Sequence, residues 1–487
     1  MNSLYALSAV AMGQAYERRE LSPLEVTRSC IEQIERWEPR LHALWDFDAE
    51  AALAQARASE ARWHRSQSRG PLDGVPVTVK ENIAVRGQPM ALGSAATVLT
   101  PALEDSPPAA RLRQAGAVLL ARTTMPDFGM LSSGLSSLHA TARNPWDISK
   151  SPGGSSAGAG AAAAAGYGPL HLGTDIGGSI RLPAAWCGVV GFKPSNGRVP
   201  IRPPYIGRVA GPLCREVQDA ALMMATLSAP DWRDTTSLPA QSLPWPSSPV
   251  EPEHTLRGLK IGLWLDGGWG MALDPQIEAA VQDAAALLQS AGAEVSPLPA
   301  FSSRAMADGI DSFWRFRSWR DIDAMDPARQ ALVLPFIRQW VAAAADYSAS
   351  RLFDGFHQIA VLREAAVAAC QPFDFVISPV APVSAFDAQW AMPSNDPERA
   401  MEHIAYTLPF NMSEQPAISL PCAHTGEGLP IGLQIVGQRH DDIGVLRLAR
   451  AFEQLRRPLL PWPTAPNTPS WTGSRTGSQT GSQTGAP

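Results

Sequence analysis

Ser151-Pro-Gly-Gly-Ser-Ser-Ala-Gly158 and Gly173-Thr-Asp-Ile-Gly-Gly-Ser-Ile-Arg181, with an alanine-rich run from Ala157 to Ala165 between them, decide how the rest of this chain is read. Glycine lets the backbone come close to a ligand and lets successive N–H groups form an anion-binding nest. Each motif alone also suits an ordinary turn beside an alanine-rich helix.

Outward from this centre the pattern alternates between strands and helices. Val75, Val77 and Val79 share one strand face and Thr78 and Lys80 the other, so Lys80 points away from the valines. A helix near 107–115 leads to a strand at 117–121. Further on, the pattern predicts strands at 259–265 and 293–297, with a helix over 274–291 between them opened by Asp274-Pro275. Apolar runs at 375–378, 417–420 and 432–436 read as buried strands, and 441–456 as a closing helix. Toward the N-terminus, Ser22-Pro23-Leu24-Glu25 has the elements of a capping box and starts a helix to about Trp37, followed by another over 48–66. The fold class expected is α/β: a single large domain with a mixed, twisted sheet covered by helices on both faces.

With 487 residues, 45% hydrophobic and 18% charged, the chain can bury a large core. A net charge of −6 without a basic run argues against nucleic acid as a partner. No apolar run approaches the ~18 to 20 residues of a membrane span, so no membrane partner is expected. The mildly apolar Met1 to Gly13 has no basic residue ahead of it; a secretory leader is not expected and the protein reads as cytoplasmic. Five cysteines (Cys30, Cys187, Cys214, Cys370, Cys422) form no CxxC pair and read as reduced, mostly buried thiols. Nine histidines show no metal-ligand spacing, so no metal or other cofactor is expected. After Pro466 the repeated Thr-Gly-Ser units read as a disordered low-complexity tail, 466–487.

The two motifs, the strand lysine and Asn144-Pro145-Trp146 resemble the amidase signature family. The resemblance continues in Gly188-Val-Val-Gly-Phe-Lys-Pro194 and Gly211-Pro212, and returns in Pro409-Phe-Asn411, Pro416-Ala-Ile-Ser-Leu-Pro421 and Gly428-Leu-Pro-Ile-Gly-Leu-Gln434, so that it covers about 5–455. It implies one amidase domain over 1–465, with a helical layer at about 1–66, a signature core at about 70–215 and a variable pocket region at about 300–400. It also implies a catalytic triad: Ser179 as nucleophile, Ser155 as a bridging serine after a cis peptide bond, and Lys80 as base. Lysine serves as a base only as a neutral amine, which requires burial to bring it well below its reference pKa of ~10.4. Lys150 and Lys193 are rivals by composition, but their settings suit loops. The N–H groups of Ile176, Gly177, Gly178 and Ser179 form the expected oxyanion hole. Ser156 is expected to buttress the triad, and Asp175 and Arg181 to order the oxyanion loop. Gly129, Met130 and Leu131 lie where the family contacts substrate, or else form an ordinary loop. Ala157 stands where the family usually has glycine.

The expected activity is hydrolysis of small amides with aryl or apolar bodies, extending to carbamates (urethanes) and esters, by a monomer or homodimer. Two alternatives remain. One is the glutaminase component of glutamyl-tRNA amidotransferase, its A subunit, which works within a complex; it usually carries an aspartate where Ile404 precedes Thr407-Leu-Pro-Phe-Asn411. The other reads Gly154–Gly158 as the GxSxG elbow of an α/β-hydrolase esterase, with Ser156 as nucleophile and Asp374 and His403 as partners. Aromatic residues crowd 313–356, among them Phe313, Trp314, Trp319, Trp340 and Phe356, and either pack as helix core or line the pocket.

Overall fold

The expected capping box is complete. Ser22 Oγ accepts from the N–H groups of Leu24 (3.1 Å) and Glu25 (3.2 Å), and the Glu25 carboxylate accepts from Ser22 N–H at 2.9 Å. The helix it starts runs Pro23–Leu41, beyond the expected end at Trp37: Leu41 is still buried in the main core, and the helix carries Pro39 within its last turn. The computed structural model describes residues 3–246 and 250–465. The tail after Pro466 lies outside the described residues.

The strands are β1 (Leu44–Phe47), β2 (Pro76–Lys80), β3 (Val118–Thr123), β4 (Leu170–Asp175), β5 (Val190–Lys193), β6 (Val209–Cys214), β7 (Lys260–Leu263), β8 (Glu294–Pro297), β9 (Phe375–Pro379), β10 (Ala417–His424) and β11 (Pro430–Gly437). They form one 11-stranded sheet in the order β1-β3-β2-β4-β6-β5-β10-β11-β9-β7-β8. β2 runs parallel to β3 and β4, and β7 parallel to β8 and β9, while the middle from β6 to β11 is antiparallel. Helices flank the sheet, and the whole is the single mixed α/β domain expected.

Val75, Val77 and Val79 do share the face that packs into the main apolar core, which extends from the N-terminal helices to the closing helix Asp442–Leu455. Full burial of each such side chain contributes about 1.5–3 kcal/mol. Thr78 and Lys80 take the opposite side; Thr78 meets His171 of β4 at 2.8 Å. Strands β1, β4, β5 and β6 were not anticipated. In β4 through β6 every residue is buried, so polarity has no period of two to reveal them.

The alanine run is the helix Ala157–Ala165, and all nine of its residues are buried. Ala161, Ala162 and Ala165 face the main core, while Ala159, Ala163 and Ala164 pack on Ile180, Ala184 and Cys187. A helix apolar all round belongs inside, and small side chains let its neighbours come close.

All five cysteines are free, and only Cys422 is partly exposed. No described helix is long and apolar enough to cross a membrane.

Replacing Ser22 by Ala removes one half of the capping box. The expected loss is about 0.5–2 kcal/mol, read as a lower urea midpoint at unchanged slope.

Candidate active site

Parallel pairing aligns β2 and β4 so that both end on one edge of the sheet, with Val79 opposite Leu172. Lys80 closes β2 and Asp175 closes β4. The loop 151–156 crosses this edge. Its Ser156 N–H donates to the Ser179 carbonyl at 3.2 Å, joining the two serine-bearing motifs.

Lys80 is fully buried, and its Nζ donates to three hydroxyls: Ser155 at 2.9 Å, Ser156 at 3.0 Å and Thr174 at 3.0 Å. Burial brings its ammonium down to about 7; Arg208 adds to the effect, while Asp175 and Glu81 oppose it. Ser156 donates its own proton to the Thr174 carbonyl (3.1 Å), so its lone pairs face Lys80 and the Thr174 N–H. The peptide bond between Gly154 and Ser155 is cis.

Lys193 corrects the loop setting expected for it. It is the last residue of β5, fully buried, and burial with the nearby Arg181 charge brings it to about 7 as well. Burial therefore does not distinguish the two lysines. What differs is the company: Lys193 Nζ donates to the Pro194 carbonyl and to no serine.

Asp175 organises the second motif. Arg181 reaches it through Nε and Nη2, each at 3.0 Å, and the carboxylate also accepts from the N–H groups of Gly178 (2.8 Å) and Ile180 (3.1 Å). Burial alone would raise this carboxyl, but Arg181, Lys193 and Asn411 overcome it and hold it well below the usual range. Arg181 Nη1 donates onward to the Thr407 carbonyl (3.0 Å) and Gln434 Oε1 (2.7 Å).

One member of the expected oxyanion hole is thereby engaged elsewhere, since the Gly178 amide already donates to Asp175. Among the described residues no acceptor takes the amides of Ile176, Gly177 or Ser179. Gly178 has φ +125°, and a Cβ there would come within 2.7 Å of Thr407 Oγ1, so the position requires glycine on both counts.

A single pocket is lined by Ser155, Ser179, Ile176 and Gly177, and by Gly129, Met130 and Leu131. Gly129 has φ +71° and lies beside Ser155. Lys80 stands behind Ser155 as seen from this pocket. Ser155 and Ser179 share it, yet no hydrogen bond joins their hydroxyls among the described residues. Such contacts often tighten only when substrate is bound. Trp314 and Trp340 line the same pocket, while Phe313 and Phe356 meet edge to face with centroids 5.2 Å apart and Trp319, outside the lining, packs on the apolar cluster that Trp340 belongs to. The aromatic stretch is thus divided between pocket and core.

A family model described as Amidase matches residues 25–446. The chain belongs to the amidase signature family. It is 33% identical to the A subunit of glutamyl-tRNA(Gln) amidotransferase from Solidesulfovibrio magneticus, over 96% of this chain and 100% of that one. The fold is similar to that of a bacterial aryl acylamidase of the amidase signature family (TM-score 0.81, 28% identity, covering 92% of this chain and 96% of that chain). It is also similar to 6-aminohexanoate cyclic dimer hydrolase (TM-score 0.82, 25% identity, covering 96% and 100%). Family and neighbours make the protein an amidase-type hydrolase.

The esterase alternative does not survive in this amidase fold. Ser156 is fully buried against Lys80 and Thr174, Asp374 is exposed and accepts from Lys260 N–H, and His403 meets Ser132 Oγ at 2.7 Å. The pocket also holds Asn82, Ser132, Arg208 and Arg317, none of them marked by the sequence, and His403, which the sequence offered only for the esterase alternative. Thr174 was within the quoted motif and could have been found there; the others come from separate loops and helices with no shared pattern.

Arg181→Met would leave the Asp175 carboxylate buried without its cation. The expected loss is about 3–5 kcal/mol, measured by chemical denaturation.

Proposed function

We propose that this amidase hydrolyses small amides through an acyl-enzyme on Ser179, with Ser155 relaying protons and Lys80 as the ultimate base. The observation that carries the reading is the 2.9 Å contact between Lys80 Nζ and Ser155 Oγ, at the back of a pocket that also holds Ser179 and three unengaged amides. With Lys80 at about 7, a substantial share of its amine is neutral near neutral pH and can accept a proton. Ser179 Oγ then attacks the carbonyl carbon, its proton passing by way of Ser155 to Lys80. Negative charge develops on the carbonyl oxygen, facing the amides of Ile176, Gly177 and Ser179; one such donor contributes roughly 3–4 kcal/mol to the barrier. The proton returns to the departing nitrogen, which an amide needs because its anion leaves badly. Water releases the acyl group by the same route.

Trp314, Trp340, Met401 and Ile404 on the pocket wall favour an aryl or apolar body, and carbamates and esters pass through a similar tetrahedral state. The identity to the amidotransferase relative favours a second reading, a glutaminase acting with partner subunits. Against it, Ile404 stands where that relative usually has an aspartate for the glutamine amino group. Asp175, the one carboxylate among the described residues that line the pocket, is already paired with Arg181.

Turnover of an aryl anilide, an aryl carbamate and glutamine separates these readings; cleavage of glutamine alone would reverse their order. Ser179→Ala is expected to abolish turnover and labelling by a fluorophosphonate, and Lys80→Ala to lower turnover by orders of magnitude, most for amides. Full activity in either variant refutes the roles given. In the intact enzyme the labelling rate should rise with pH through about 7, as Lys80 loses its proton, and then level off. That inflection should vanish in Lys80→Ala; if it persists, another group such as Lys193 is its source.

A further inference from the structure

The mechanism leaves two guanidinium groups in the pocket unused. Arg208 closes a turn in which its N–H donates to the Tyr205 carbonyl at 3.0 Å. The turn is fastened to the oxyanion framework: Asn411 Nδ2 donates both to the Gly207 carbonyl and to Asp175, each at 2.9 Å. Arg317 comes from the helix Arg304–Asp323 on the other side of the pocket and lies over the Tyr205 ring, 4.6 Å from its centroid. Both arginines and Tyr205 line the same cavity as Ser155 and Ser179.

Neither cation is neutralised within that cavity. Among the described residues the Arg208 guanidinium donates only to the Pro203 carbonyl, with no carboxylate in contact. Arg317 Nε lies 3.6 Å from Asp321, a surface carboxylate one helical turn away whose pull water screens. The two positive charges act on each other: beyond the effect of burial, Arg317 further lowers the proton affinity of Arg208. Like charges gathered beside a part-buried cleft are stabilised by an anion between them and repel a cation. The planar fork of arginine suits a carboxylate.

We propose that the substrate of this site carries a carboxylate, received by Arg208 and Arg317 while its apolar body lies against Trp314 and Trp340. The proposal rests on the amidase reading of the same pocket and adds a substrate class to it: anionic amides, with cationic ones disfavoured.

The test compares kcat/KM within two matched pairs. Glutaranilic acid against pentananilide places the carboxylate on the acyl side; hippuric acid against N-propylbenzamide places it on the amine side. In at least one pair the carboxylated member should be preferred by about ten- to a hundredfold, and the preference should shrink as salt is added. Arg208→Met and Arg317→Met should each reduce that ratio by about tenfold or more. Because the ratio is taken within each variant, partial loss of folded protein cancels. The proposal is overturned if the neutral members are cleaved as well as the charged ones in both pairs, by enzyme whose Ser179 still takes the fluorophosphonate. It is equally overturned by a preference that neither substitution moves. Absence of labelling at Ser179 together with no turnover of any of the four overturns the amidase reading itself, and this proposal with it.

Discussion

The ion pair between Asp175 and Arg181 is the constraint on which the site depends. Both groups are buried, and such a pair persists only where further hydrogen bonds satisfy the remaining donors and acceptors. Here they do so by drawing in four separate pieces of chain: the end of β4, the helix Arg181–Cys187, the segment Thr407–Asn411 and Gln434 of β11. Gln434 itself donates to Ser378 of β9 and to the Tyr406 carbonyl, so the network crosses three strands. The loop carrying Ser179 is held by Asp175 through backbone amides, and its curvature follows from where the carboxylate is fixed.

Against that frame the two buried lysines are instructive. Desolvation lowers both to about 7, yet only one meets serine hydroxyls. A low proton affinity is a general result of removing a cation from water. It becomes chemistry when the amine is surrounded by groups able to exchange a proton with it. Lys80 has Ser155, Ser156 and Thr174 around it, whereas Lys193 has a carbonyl that can only accept.

Much of this is legible in the sequence alone. The valine alternation around Thr78 and Lys80 tells which way the lysine faces, and Ser22 to Glu25 tells where a helix begins, because both signals depend on near neighbours in the chain. The sites of Asp175 and Arg181 are visible for the same reason, lying within one motif. Strands β4 to β6 are hidden because uniform burial removes alternation. Lys193 misleads because a following proline suggests a loop, although β5 simply ends there. Occupation of the Gly178 amide by Asp175, and the gathering of Arg208, Arg317, Ser132 and His403 in one pocket, depend on contacts between distant segments and leave no local trace.

The helix Ala157–Ala165 also limits how this enzyme can diversify. Packed on every side, the helix behind the serines has no room for a larger residue. New substrate shapes must therefore be accommodated from the opposite wall, where Trp314 and Trp340 stand on helices outside the sheet. Chemistry and selectivity are accordingly separable here: one rests on a scaffold with no slack, the other on a surface free to vary.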